Sequence, residues 1–175
     1  MKKLIIITTL LFCTSTGIAQ VHKHTLGLRY GTGYLFKNSE LSYQLGLNQK
    51  NRLEFGLGYR QNKFDFFEFR KLSTSIYFQH VMNIRGGLNW YFGAGVKHDF
   101  SQHMNSDMTT YQHRFSVGPT IGLEYDFNKK NVPLILALDY RPSFVFSPST
   151  ADQVYFRNQF GLSLRYTFKD KPSSN

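Results

Sequence analysis

The sequence is poor in the features that stiffen an exported protein or carry it through a bilayer as a helix. It holds one cysteine, Cys13, in 175 residues. A disulfide framework is therefore excluded. No run of about 20 apolar residues occurs anywhere, which excludes a helical membrane span. Overall hydropathy is negative. Pro/Ser-rich linkers and internal repeats are lacking as well, so nothing divides residues 20–168 into more than one domain. What the chain does have at its start is Met1-Lys2-Lys3, the apolar run Leu4 to Phe12 and the small-residue stretch Thr14 to Ala19. This is the layout of a secretory signal peptide with Gly17 and Ala19 before a cut at Gln20. Residues 1–19 are expected to be removed, and residues 169–175 to form a short polar tail. Cleavage would take Cys13 and two lysines with it, and the formal charge of +10 becomes 21 − 2 − 11 = +8.

Period two is the dominant signal after the signal peptide. Between Thr25 and Tyr34 the apolar phase is Leu26, Leu28, Tyr30 and Tyr34, and the alternate phase is Thr25, Gly27, Arg29, Gly31 and Gly33. Eight segments repeat the pattern: His24 to Tyr34, Leu41 to Asn48, Arg52 to Arg60, Leu72 to Met82, Leu88 to Lys97, Tyr111 to Phe127, Val132 to Arg141 and Tyr155 to Phe168. Tight, turn-like connections, Asn48 to Asn51, Asn83 to Gly87 and Asn128 to Asn131, supply Asn and Gly for positive φ. They alternate with longer ones over Gln61 to Lys71, His98 to Thr110 and Pro142 to Val154, while the first connection, Leu35 to Glu40, is short. The pattern predicts an all-β fold, an eight-stranded antiparallel up-and-down transmembrane β-barrel.

Which face is inside decides between a membrane barrel and a soluble, lipocalin-like secreted barrel. Eleven of the 14 glycines fall in the phase that also carries the charges. In a narrow barrel these are interior positions, where missing side chains let the sheet curl and leave room for long neighbours. Threading the strands up and down puts Tyr34, Tyr59, Phe115, Tyr140 and Phe156 near one rim, and Trp90, Tyr125, Phe127, Tyr166 and Phe168 near the other. Two such girdles match the two headgroup levels of a bilayer. In the last strand Phe160, Leu162, Leu164, Tyr166 and Phe168 alternate without a break. That strand resembles the terminal signal by which outer-membrane barrels are recognised for insertion, which implies the barrel-assembly machinery as a partner.

On these patterns the chain resembles small eight-stranded outer-membrane barrels of the OmpA/OmpX type. The resemblance covers essentially all of residues 20 to 175 and implies an outer-membrane location with both termini and the tight turns in the periplasm. It also implies contact with membrane lipid and lipopolysaccharide, for which the positive charge is suited, and no role for nucleic acid.

An eight-stranded interior has room only for side chains. The charges of the inner phase, Arg29, Glu54, Arg114, Glu124, Asp139, Arg141, Arg157 and Arg165 among them, are therefore expected to form a network of arginine–carboxylate pairs, because an unpaired charge there is costly. This predicts no permanent open pore. Phe64, Phe66, Phe67 and Phe69 alternate with charges in the connection over Gln61 to Lys71, which is either a hairpin whose aromatics pack together or touch lipopolysaccharide acyl chains, or a candidate contact loop that captures a surface protein by strand addition. His98, Asp99, His103, Asp107 and His113 gather on or beside the fifth connection, but a loop rich in Ser, Asn and Met does not promise metal geometry. No metal, cofactor or catalytic residue is assigned. Lipid A deacylases and palmitoyltransferases also use eight-stranded barrels, and a lipid A-modifying enzyme is the alternative reading. The deacylases resemble one another in a His-x-Ser-Asn segment on a late strand. Here His103-Met104-Asn105-Ser106 differs in order and in place, so a non-enzymatic structural or surface-interaction role is expected.

Overall fold

Alternation along each strand settles into a single closed sheet. The structure is a computed structural model that describes residues 21–33, 36–64, 67–105, 108–148 and 153–168. The expected signal peptide, Tyr34 and the polar tail lie outside the described residues. Ten strand segments follow in order: β1 (His24–Gly33), β2 (Phe36–Gly46), β3 (Asn51–Phe64), β4 (Phe67–Arg85), β5 (Leu88–Asn105), β6 (Thr109–Asp126), β7 (Leu134–Tyr140), β8 (Ser143–Ser147), β9 (Gln153–Arg157) and β10 (Gln159–Thr167). Every pairing is antiparallel: β1 to β7 pair in chain order, β8 pairs with β6 and β9, β10 pairs with β7, and β1 pairs with β10 to close the barrel.

Ten segments make eight staves. The register of β6 with β7 (Ile121 opposite Tyr140) continues unchanged with β8 (Val117 opposite Phe144), which sets Pro119 opposite Pro142. Neither has an N–H to give to the ladder, so the seventh stave is interrupted there. The eighth breaks at Asn158, the residue that the registers of Phe160 with Tyr140 and of Arg157 with Ser143 place opposite the same Pro142.

The barrel is inverted relative to a soluble one. Leu28, Leu138 and Leu164 point outward and are 66%, 57% and 52% exposed, whereas Arg29, Glu54 and Arg165 point inward and are almost completely buried. Outward Tyr59, Phe115 and Phe156 stand toward the end where the long connections lie, the loop end. Outward Tyr166 and Phe168 stand toward the other, the turn end. A band of Leu, Val and Ile with aromatic rims is what hydrocarbon and headgroups require of a barrel's outside. The soluble alternative would need the opposite facing of every strand.

At the turn end, Gly86 and Gly87 take φ of 57° and 100°, which makes a two-residue hairpin between β4 and β5. Asn131, at φ 62°, ends the short 3-10 turn Phe127–Lys130. The chain preceding β1 folds into this end: Val21 packs on the small apolar cluster of Val81, Tyr91 and Ala137, and its N–H reaches the Gln49 carbonyl at 3.1 Å.

Strand lengths differ from the expectation at the loop end. The segments expected as connections over Gln61 to Lys71 and His98 to Thr110 are largely strand, because β3 and β4 stay paired to Phe64 opposite Phe67 and β5 stays paired with β4 and β6 to Met104. Hydrogen bonding of a hairpin does not stop where lipid stops. The second strand likewise begins at Phe36, not Leu41, and pairs with β1 up to Gly33 opposite Phe36, so the first connection is a hairpin. One consequence is asymmetry: β4, β5 and β6 are 19, 18 and 18 residues long while β1 has 10. The sheet therefore stands higher on one side of the loop end.

Candidate functional site

The inner phase is filled by a knot of charge, and strand register explains its partners. Arg29 stands directly opposite Glu40, Glu54 opposite Gln44, and Arg52 opposite Gln79. Arg29 grips Asp139 with Nε to Oδ2 at 3.0 Å and a second bond from Nη2. Its Nη1 reaches Glu40 at 3.4 Å, and Lys97 Nζ closes on the other oxygen of Glu40. Arg141 joins Glu54 at 2.8 Å to Asp139 at 3.1 Å. Arg165 adds a third arginine, 3.3 Å from Glu54. Ser42, Gln44 and Gln79 also donate to the Glu54 carboxylate, at 3.1, 3.3 and 2.8 Å.

Toward the turn end, Arg52 makes a two-pronged pair with Glu124 (3.2 and 2.7 Å) and lies 4.8 Å from the centre of the Tyr91 ring. Arg141 lies similarly over Tyr77, at 4.4 Å. Buried carboxylates that accept this many charge-assisted bonds are compensated for their desolvation, and guanidinium planes on aromatic faces use the remaining surface. The knot needs empty neighbouring positions. A Cβ on Gly161 would sit 2.4 Å from Arg29 Nη2, so only glycine leaves room for that guanidinium.

Of the inner charges singled out from the sequence, Arg29, Glu54, Asp139, Arg141 and Arg165 come together here and Glu124 joins through Arg52. Arg114 and Arg157 lie higher, in a second group at the loop end. There Asp99, fully buried, takes Lys71 at 2.8 Å and Arg157 at 3.3 Å. Sequence reasoning missed Glu40, Arg52, Lys71 and Asp99. Glu40, Lys71 and Asp99 fall in segments expected as connections. Arg52 shares the parity of Glu54, and that signal alone would have found it.

At the turn end a polar cavity of about 120 Å³ is lined by His22, Asn83, Asn89, Asp126 and Asn128, among others. His22 Nε2 meets Asp126 Oδ2 at 2.8 Å and the Asn128 N–H caps onto Oδ1 at 2.9 Å. Burial alone would raise the Asp126 pKa, but these hydrogen bonds outweigh it and hold the carboxyl below its ordinary range.

The candidate contact loop is placed only in part. Phe64 and Phe67 oppose each other at the tip of the β3–β4 hairpin, while their side chains, and Phe66 altogether, lie outside the described residues. Phe69 is half-buried on the inner phase and meets His103 edge-on at 4.8 Å, because β5 extends beside it. His98 and His113 stack on the outer face with Nε2 and Nδ1 3.2 Å apart. No three His, Cys, Asp or Glu among the described residues are grouped so as to hold a metal ion. Ser106, the partner of His103 in the enzyme alternative, lies outside them.

Against known proteins, no family model and no curated protein matches the sequence. Solved structures do match. Neisserial surface protein A is 14% identical over 83% of this chain and 94% of its own, with a TM-score of 0.60. The N-terminal β-barrel domain of Pseudomonas aeruginosa OprF is 17% identical over 85% and 100%, with a TM-score of 0.59. Ail, the attachment invasion locus protein of Yersinia pestis, is 13% identical over 83% and 96%, with a TM-score of 0.53. These are eight-stranded outer-membrane barrels of the OmpA/OmpX type, and this chain has their fold. At such identities the likeness reaches the architecture and no further.

Proposed function

We propose that the protein is a non-enzymatic outer-membrane barrel whose wall, plugged by its own side chains, displays the loop-end sheet for contact at the cell surface. The observation that carries this reading is the packed charge knot. Arg29, Arg52, Arg141, Arg165 and Lys97 are held against Glu40, Glu54, Glu124 and Asp139 across the lumen, which supports an interior plugged by side chains. In this reading residues 1–19 are cleaved, both termini and the tight turns are periplasmic, and the barrel is inserted by the assembly machinery through its last strand. The lipid-facing wall meets phospholipid and lipopolysaccharide. The raised β3–β6 edge, with the Phe64 to Phe69 hairpin, is the surface offered to a protein partner by strand addition.

Heat-modifiability tests the barrel: on an unboiled gel of the outer-membrane fraction the protein should migrate differently from the boiled sample. Absence of a shift, with the protein in the soluble fraction, would overturn the facing of every strand. Single-channel recording tests the plug. Large stable conductance steps are incompatible with a closed knot.

A further inference from the structure

Two groups of charge share the barrel interior, and among the described residues they differ in balance: the knot sets five cations against four carboxylates, whereas the loop-end group falls further short. At the loop end, among the described residues, Lys71 and Arg157 bind one carboxylate, Asp99, and Arg114 stands opposite it, while Lys97 below is spent on Glu40. Lys71 and Arg157 are both spent on one of its oxygens, Oδ2, while the Ser73 hydroxyl donates to the other at 2.8 Å. Arg114 stands directly opposite Asp99 in the β5–β6 register but turns its Nη2 to Ser101 Oγ at 3.2 Å, and among the described residues it is paired with no carboxylate. The group thus keeps two positive charges beyond those its carboxylate offsets. Nε of Arg114 and Nε of Arg157 are shielded from solvent and have no hydrogen-bond partner among the described residues. Such groups are costly to leave unmade. Lys71 and Arg157 nonetheless keep 13% and 17% of their side chains exposed, so the group is reachable from the mouth, unlike the arginines beneath it.

We infer that this mouth cluster, Lys71, Arg114 and Arg157 with the hydroxyls of Ser101 and Ser116, is a binding site for a phosphomonoester dianion. Two unbalanced positive charges match a dianion. Two guanidinium planes, an ammonium and two hydroxyls supply donors from several strands, which suits an oxyanion with three terminal oxygens better than a carboxylate with two. Ser101 and Ser116 already accept from Arg114 and Arg157, at 3.2 and 3.1 Å, which leaves their own protons to donate. Asp99 keeps the cations converged when the site is empty, at the cost of offsetting only part of their charge. This site goes beyond the proposed surface role and depends on the barrel alone, so it stands or falls separately from the location and conductance of the protein.

The test uses the protein folded in a zwitterionic detergent, in phosphate-free buffer of constant ionic strength near pH 8, where a phosphomonoester, with a second pKa of about 6, is a dianion and inorganic phosphate is mostly one as well. Titration with inorganic phosphate in a calorimeter should give saturable binding. Arg114→Gln and Lys71→Gln should each weaken it about tenfold or more, as the loss of one charge-assisted hydrogen bond implies. Lys129→Gln, at the opposite end, should not. Heat-modifiability of each variant shows that it has folded, and Arg114→Gln is the safest because its bond is to a serine. No saturable binding, or equal weakening by Lys129→Gln, overturns the proposal. Nanodiscs identify the source. If phosphate binds in phospholipid discs but is excluded from discs containing lipopolysaccharide, the membrane's own phosphorylated lipid occupies the site. Equal binding in both assigns it to a soluble phosphate ester.

Discussion

The middle of the barrel and its loop-end mouth are built from the same residue types and differ in how the charges are spent. In the middle every carboxylate is held by at least one arginine or lysine, with the Glu54 carboxylate joined to two arginines, two glutamines and a serine, and nothing there reaches solvent. At the mouth, among the described residues, one carboxylate answers three cations, and these stay partly open. Near balance with burial makes a strut. Imbalance with access makes a place where something else can bind. The difference lies in how the registers pair the inner phases and not in composition.

Removing Glu54 should break the strut and so give the largest effect. Glu54→Ala strands Arg141 and Arg165 without their shared partner, and loss of one side of a buried ion pair costs about 3–5 kcal/mol. The urea midpoint of unfolding in detergent should fall accordingly. Arg114→Ala at the mouth should cost less than about 1 kcal/mol, because it removes a partly open group bonded, among the described residues, to Ser101 and to no carboxylate. Equal losses at the two sites would erase the distinction. Replacing Glu54, Arg141 and Arg165 together by apolar residues of similar size should cost less than Glu54→Ala alone, since no charge is then left buried and unpaired.

The outer face supplies a second contrast, against the whole interior. Leu164, half-exposed near the middle of β10, should tolerate arginine poorly: a cation on the lipid face near the midplane costs about 2–4 kcal/mol, falling toward the rims. Refolding yield into phospholipid vesicles, compared for Leu164→Arg and Tyr166→Arg, should show that gradient. If both are neutral, the apolar face does not meet lipid. Gly161→Ala should be next in size, at about 1–3 kcal/mol of overpacking, because its new Cβ meets an Arg29 guanidinium that Asp139 holds in place. A melting temperature equal to that of the unaltered protein would mean that the knot is looser than its bond lengths indicate.

Facing, closure and the interior place of Arg29, Glu54, Asp139, Arg141 and Arg165 were legible in the sequence because a β-strand's period is fixed at two, so one charged residue reveals the phase of a whole strand. Partners were not legible. Register comes from which backbone groups meet across the sheet, and nothing in the sequence of β1 says that Arg29 will face Glu40 on one side and reach Asp139 across the lumen. Strand ends were the other failure, and they hid the mouth. Lys71 and Asp99 keep the inner parity of Ser73 and Lys97, but polar residues beyond the lipid level look like a loop. Alternation there carries a hairpin's hydrogen bonding without the apolar contrast that makes it visible. The break at Pro142 was available in principle, as proline in a strand always removes a donor.

A small effect is also expected at the turn end, where Asp126 ties the segment preceding β1 to the barrel floor through His22. Its folded pKa is depressed, so it contributes stability at every pH above its unfolded value and loses that contribution as pH falls through the folded one. Asp126→Asn keeps an oxygen for the Asn128 N–H but removes the charge. At neutral pH the variant should be less stable by about 1 kcal/mol, the value of one partly buried hydrogen bond to a charged group. Below about pH 4, where an ordinary aspartate begins to protonate, the gap between the two proteins should shrink, with the unaltered one losing stability toward the variant. A gap that stays constant down to acid pH would show that Asp126 acts there by its shape alone. The mouth should not share this response at the same pH, since Asp99 sits among Lys71, Lys97 and Arg157 whereas Asp126 has one histidine and an amide. Acid should therefore loosen the floor of the barrel before its mouth.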